Sequence, residues 1–102
     1  MSRDTLHLKA VIKTFRHKGL KELFEKGSSR KVPADMLKRI ERQLDVLDAA
    51  EAITGMSVPG YDLHPLKGGR AGEWSITVTR NFRITFRFEE GEVLDVNLED
   101  YH

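Results

Sequence analysis

The chain has 102 residues, 39% of them hydrophobic and 32% charged, with no cysteine and a formal net charge of +1. That is enough chain for one domain around one core, and it leaves out a disulfide framework, a cysteine nucleophile and a thiolate metal site. No apolar run reaches the ~18 residues of a membrane span, and the opening MSRDTLHLKA lacks the long apolar core of a signal peptide, so a cytoplasmic protein is expected.

Residues 1–10 are polar and without pattern and read as an N-terminal extension; residues 11–102 read as a single domain. Residues 11–15 read as a strand, with Val11, Lys13 and Phe15 on one side and Ile12 and Thr14 on the other, and His17-Lys18-Gly19 breaks it. Residues 20–26 predict a short helix, because Leu20, Leu23 and Phe24 share a face at steps of three and four. Gly27 then stands where a helix closes most readily on a left-handed residue. After the basic loop Ser28-Ser29-Arg30-Lys31, Pro33 suits a first helical turn. Residues 34–51 predict the longest helix, with Leu37, Ile40, Leu44 and Leu47 on one stripe and Lys38, Arg39, Glu41, Arg42 and Asp45 outside.

Gly55, Pro59 and Gly60 punctuate a connector over residues 52–62. Residues 63–66 can form a short strand, which Pro65 confines to an edge or an irregular position. Gly68, Gly69 and Gly72 make a flexible loop that carries Lys67 and Arg70. Residues 73–90 alternate cleanly: Trp74, Ile76 and Val78 face one way, then Phe82, Ile84, Phe86 and Phe88, against Thr77, Arg83, Thr85 and Arg87 on the other side. A period of two means two half-buried strands. Arg80-Asn81 is expected as a two-residue turn between them, since Asn tolerates positive φ. Glu90-Gly91 makes a second tight turn, and residues 93–98 a last strand with Leu94, Val96 and Leu98 inward. The order β-α-α-β-β-β-β predicts an α+β fold, with a two-helix hairpin packed on one face of a mostly antiparallel sheet and the opposite, polar face open.

Charge is unevenly spread. Residues 1–42 hold 12 Lys+Arg against 5 Asp+Glu, a balance of +7; residues 43–102 hold 5 against 11, a balance of −6. A basic patch of this kind either keeps exposed helices solvated or attracts nucleic acid by releasing its counterions. The sequence contains no phosphate-cradling glycine motif and no dinucleotide fingerprint, and the four histidines do not cluster at metal-ligand spacing. Polar groups that the topology could gather are His64, Lys67, Arg83, Asp100, Tyr101 and His102. Lys and Arg can offset charge growing on a phosphate, while His, Tyr and Asp can carry or orient protons. The blander readings are a solvated face for Arg83, a turn cap for His64 and a frayed tail for Tyr101-His102.

Several strings occur together in a recognisable order. They are Phe15-Arg16-His17-Lys18-Gly19-Leu20, Leu63-His64-Pro65-Leu66-Lys67-Gly68, Trp74-Ser75-Ile76, Arg83-Ile84-Thr85-Phe86 and Glu99-Asp100-Tyr101-His102. In these the chain resembles, from about Val11 to His102, the HigB group of bacterial toxins in the RelE-like superfamily of type II toxin–antitoxin systems. Phe82 stands where relatives often have Trp, and the ten residues before Val11 exceed the usual family start.

The resemblance implies a ribosome-dependent endoribonuclease that cuts mRNA in the ribosomal A site without a metal or other cofactor. A helix-turn-helix, HigA-type antitoxin would neutralise it. The ribose 2′-OH would attack the adjacent phosphate. The family's site would fall here on His64, Lys67, Arg83, Asp100, Tyr101 and His102. Arg83 and Lys67 are assigned to the scissile phosphate. His64 or His102 is the better proton carrier, because Tyr101 with an ordinary pKa of about 10 is a poor base near neutrality unless a neighbouring cation lowers it. Tyr101 either stacks on a base or orients the 2′-OH, and Asp100 either orients a histidine or acts as base. Lys18, Lys21, Arg30, Lys31, Arg70 and Arg87 are expected along the RNA path, and Arg39 and Arg42 extend the basic surface open to ribosomal RNA. The competing expectation is a non-catalytic module that binds RNA or protein on the same face.

Overall fold

The computed structural model describes residues 11–101; the expected N-terminal extension at residues 1–10, and His102, lie outside the described residues. Helix α1 spans Lys18–Lys26. It begins two residues before the position that periodicity indicates, because the His17 Nδ1 accepts the Leu20 N–H at 3.1 Å and so caps the first turn. Gly27 closes it in the left-handed conformation, its N–H donating to the Leu23 carbonyl. The expected long helix is shorter at both ends. Residues Ala34–Met36 form a single 3₁₀ turn, α2 runs Leu37–Ala49, and Ala50 is already extended. Pro33 offers no side-chain cap, and the first turn tightens instead, with the Met36 N–H bonded to the Pro33 carbonyl.

The sheet has four antiparallel strands in the order β1 (His64–Pro65), β2 (Glu73–Thr77), β3 (Phe82–Glu89) and β4 (Glu92–Asp100). Glu90 and Gly91 join β3 to β4 with φ of 53° and 81°. Positive φ at both central residues is the turn whose twist matches a hairpin, so the expected tight turn forms as read. The β2–β3 link differs from expectation. It takes four residues, 78–81, and Asn81 is not in the left-handed region. The Thr79 side chain closes it, its Oγ1 accepting the N–H groups of Asn81 and Phe82. Two residues of α2 brace this link: the Gln43 amide donates to the Thr77 carbonyl at 2.8 Å, and Arg39 donates to that of Val78. Arg39 is therefore half-buried and committed to the hairpin rather than free on the outer face of the helix.

The last strand departs from simple alternation. Thr85 pairs with Asn97 but Arg87 with Leu94, so β4 carries one extra residue there, and Asp95 takes a φ of +56°. This β-bulge turns both Val93 and Val96 inward, and Leu94, expected inward, shares the face of Arg87. It also explains the N-terminal segment, which makes two parallel bridges, Ile12 with Val93 and Phe15 with Val96, instead of a continuous strand. Between them the bulge presents the Asp95 N–H to the Thr14 hydroxyl. Asp48 of α2 accepts the N–H groups of both Val11 and Ile12 and fixes where this segment starts.

One core joins these parts. Leu20, Leu23, Ile40, Leu44 and Leu47 from the helices pack with Ile76, Ile84, Phe86, Val93 and Val96 from the sheet, all essentially excluded from solvent. At about 1.5–3 kcal/mol for each large side chain buried, this layer supplies the main drive to fold. It also fixes which face of the sheet stays uncovered.

Candidate active site

Strand pairing defines the uncovered face. His64 sits opposite Ser75, Ser75 opposite Thr85, Thr77 opposite Arg83, and Arg83 opposite Glu99, so all of these project to the same side. At its centre lies an ion-pair network. The Arg70 guanidinium grips two carboxylates, Glu73 at 2.7 and 3.2 Å and Glu99 at 2.6 and 2.9 Å. Arg83 donates from Nε and Nη2 to Glu99 Oε1 at 3.2 and 3.1 Å. The Thr85 hydroxyl completes the set, donating to Glu99 Oε2 at 3.0 Å. Ser75 and Thr85, on the same side of the sheet, are each only 1% exposed, and Thr85 is tied directly into this network.

The electrostatics follow from that geometry. Hydrogen bonds from Arg70, then those from Arg83 and Thr85, hold the Glu99 carboxyl at about 2, against the desolvation that would raise it. Glu73 is lowered chiefly by Arg70, with a smaller contribution from the charge of Arg16. The two carboxylates in turn raise the Arg70 guanidinium above its usual value.

Tyr101 joins this centre. Its N–H donates to the Asn81 carbonyl at 2.8 Å, and its ring lies 4.8 Å from the Arg83 guanidinium carbon, a cation–π contact. Tyr101 as a whole is 42% exposed. Lys67 is exposed and begins the 3₁₀ turn Gly68–Arg70. Its place is set from both sides: the Leu66 N–H bonds to the Glu73 carbonyl, and the Arg70 N–H to the carbonyl of Lys67 itself. Gly72, at φ +100°, passes directly under Arg87; a Cβ there would come within 2.9 Å of the Arg87 guanidinium, so only glycine fits unstrained.

His64, on the edge strand, places Nδ1 2.8 Å from the Asp62 carbonyl oxygen. A carbonyl only accepts, so Nδ1 carries the hydrogen, and a neutral ring keeps its lone pair on Nε2. The same bond also ties down the turn before β1, so the turn-cap role is present as well. Asp100 is placed differently. It pairs with Phe82, a position of the helix-covered face, at the exposed end of the sheet. His102 lies outside the described residues.

Of the residues expected along an RNA path, Lys18, Lys21 and Arg30 are exposed on α1 and the loop after it. Lys31 is exposed too but pairs with Glu22 at 2.9 Å. Arg87 pairs with Glu89 at 3.1 Å. Arg70 is held by two carboxylates instead of lying loose on the loop. Sequence reasoning missed Glu99, Glu73 and Thr85, whose link to the arginines depends on cross-strand register. Among the described residues, no group of three or more acidic or histidine side chains is arranged to hold a metal ion, and no helix is long and apolar enough to cross a membrane.

Comparison with known proteins agrees with this architecture. A family described as the RelE-like toxin of type II toxin–antitoxin system HigB matches residues 13–102. A Proteus vulgaris protein named endoribonuclease HigB is 52% identical over 92 residues, which is 90% of this chain and all of that protein. Toxin HigB-1 of Vibrio cholerae is 29% identical over 85% of this chain and 94% of its own length. A Haemophilus influenzae protein without an assigned function is 28% identical over 85% of this chain and 88% of its own length. With the family pattern running through nearly every described residue, and two helices roofing one side of an open four-stranded sheet, the chain belongs to the HigB-like, RelE-like toxins of type II toxin–antitoxin systems.

Proposed function

We propose that this toxin is a ribosome-dependent endoribonuclease that acts in the cytoplasm, cuts mRNA in the ribosomal A site without metal or cofactor, and is neutralised by a HigA-type helix-turn-helix antitoxin. The observation that carries the reading is Arg83, held by one edge on Glu99 and by one face on the Tyr101 ring, on an uncovered sheet face shared with His64. The name of the Proteus vulgaris relative supports the same activity.

The reaction needs a base for the 2′-OH proton, cations for the charge that builds on the phosphate, and a proton for the departing 5′-oxygen. The His64 Nε2 lone pair suits the first task. The Lys67 ammonium and the free edge of Arg83 suit the second. The 2′-oxygen bonds to phosphorus as the bond to the 5′-oxygen breaks, leaving a 2′,3′-cyclic phosphate and a 5′-OH. Tyr101, stacked on Arg83, orients the ribose or a base, and His102 supplies the proton for the departing 5′-oxygen, while Asp100, on the other side of the sheet, acts from outside this relay. Lys18, Lys21, Arg30 and Arg87 guide the RNA.

Mapping of mRNA cuts during translation tests this with wild type, Lys67→Ala and Arg83→Ala. Wild type gives discrete A-site cuts with 5′-OH ends, and each variant cuts about 10²–10³-fold more slowly. An Arg83→Ala protein that binds ribosomes but no longer arrests growth separates catalysis from mere binding. Equal cutting of naked RNA overturns the ribosome dependence. Undiminished cutting by folded Arg83→Ala overturns the site.

A further inference from the structure

Glu99 lies one residue before the terminal Asp-Tyr-His and has no role in the reaction above. It nevertheless accepts five hydrogen bonds: two from Arg70, two from Arg83 and one from Thr85. Thr85 is buried, so its hydroxyl has no water to turn to in place of the carboxylate. The Arg83 side chain is itself only 18% exposed. Its Nε/Nη2 edge is occupied by Glu99 and one face by the Tyr101 ring, which leaves the Nη1 side as the edge open to a ligand. Through Arg70 the same carboxylate also anchors the turn that carries Lys67.

We propose that Glu99 is a positioning residue for RNA cleavage: it fixes the free edge of Arg83 and the Lys67 turn relative to one another, and it neutralises guanidinium charge that would otherwise bind phosphate in unproductive poses. This rests on the nuclease reading of the open face. Glu99 is not itself a proton carrier, because a carboxyl held at about 2 stays ionised throughout the working range. Nor is it a plain surface ion pair, since its side chain is 19% exposed and serves two arginines at once. Arg70 keeps Glu73 when Glu99 is lost, whereas Arg83 has no other carboxylate among its contacts with described residues.

Removing the charge therefore has opposite effects on binding and on chemistry. In full-length Glu99→Gln, the cutting rate on translating ribosomes at saturation falls about 10²-fold, as for loss of an aligned electrostatic donor. Affinity for a single-stranded RNA oligonucleotide stays level or rises, and its log–log salt dependence steepens by about 0.7 for each phosphate newly engaged. A merely structural role would weaken binding and cutting together. A folded Glu99→Gln that cuts within about threefold of wild type, or that loses RNA affinity in step with cutting, overturns the proposal. If Glu99→Gln does not fold, Glu99→Asp decides, because it keeps the charge but withdraws it by one methylene: full-rate cutting overturns the inference, and slow cutting with retained RNA binding supports it. A wild type that makes no cut on translating ribosomes defeats the nuclease reading and this inference together, while fast cutting by both wild type and folded Glu99→Gln defeats this inference alone.

Discussion

The two faces of the sheet are held by different physics. On the covered face, Ile76, Ile84, Phe86, Val93 and Val96 meet the helices through many weak, non-directional contacts, so the load is spread and depends on volume. On the open face, five directional bonds converge on one carboxylate, and the arrangement depends on each donor being in register. A side chain on the first face matters through the space it fills. A side chain on the second matters through the direction in which it points a charge. The covered face should therefore govern stability, and the open face what the folded molecule does.

The largest expected effect sharpens that division. Phe86 is fully buried at the centre of the covered face, and Phe86→Ala should lower unfolding free energy by about 3–5 kcal/mol in urea titrations. A change near zero would mean that the load is not carried there. Acid should then probe chiefly the open face, where Glu99 is the most strongly lowered carboxyl among the described residues. Glu99 and Glu73 titrate below the ordinary 4.5 in the folded chain, so the stability that they add is complete above that value. It is lost as pH falls through the Glu99 value of about 2. Urea midpoints should decline over that window, and Glu99→Gln should flatten the decline; identical acid profiles for both proteins would break the comparison. The smallest effect belongs to the turn between β3 and β4, which serves both faces equally. Gly91→Ala, at a φ of 81°, should cost about 1–2 kcal/mol and leave the cutting rate unchanged.

Much of the covered face was legible because it is periodic. The alternation of Trp74, Ile76 and Val78 and of Phe82, Ile84 and Phe86 identified β2 and β3, and the stripe of Leu37, Ile40, Leu44 and Leu47 identified α2. Gly27 and Glu90-Gly91 marked ends correctly because each relies on backbone chemistry local to those residues. The network was not legible, for a definite reason. Counting back from the Glu90-Gly91 turn, an uninterrupted hairpin would set Arg83 against Leu98. The extra residue at Asp95 moves the pairing on by one, and only then does Arg83 face Glu99. Nothing in the composition of residues 93–98 announces that residue. The β2–β3 link was misread for a related reason: the Thr79 hydroxyl supplies locally what a left-handed Asn81 would otherwise have supplied. Of the candidate site, Arg83, Tyr101 and His64 share the uncovered side, whereas Asp100 holds a position on the other.

The bulge at Asp95 also bears on how such a chain can change length. Upstream of it the hydrophobic positions of β4 keep one parity and downstream the other, so Val93 is buried while Glu99, six residues later, stands among the arginines. A one-codon deletion at Asp95 itself would only remove the extra residue and keep Glu99 opposite Arg83, whereas the same deletion at Leu98 would carry Glu99 through the sheet to face Ile84 and leave Arg70 and Arg83 without the carboxylate between them. Single-residue deletions in this strand should therefore be tolerated at the bulge and rejected between it and Glu99, a rule that homologues of differing length would have to obey.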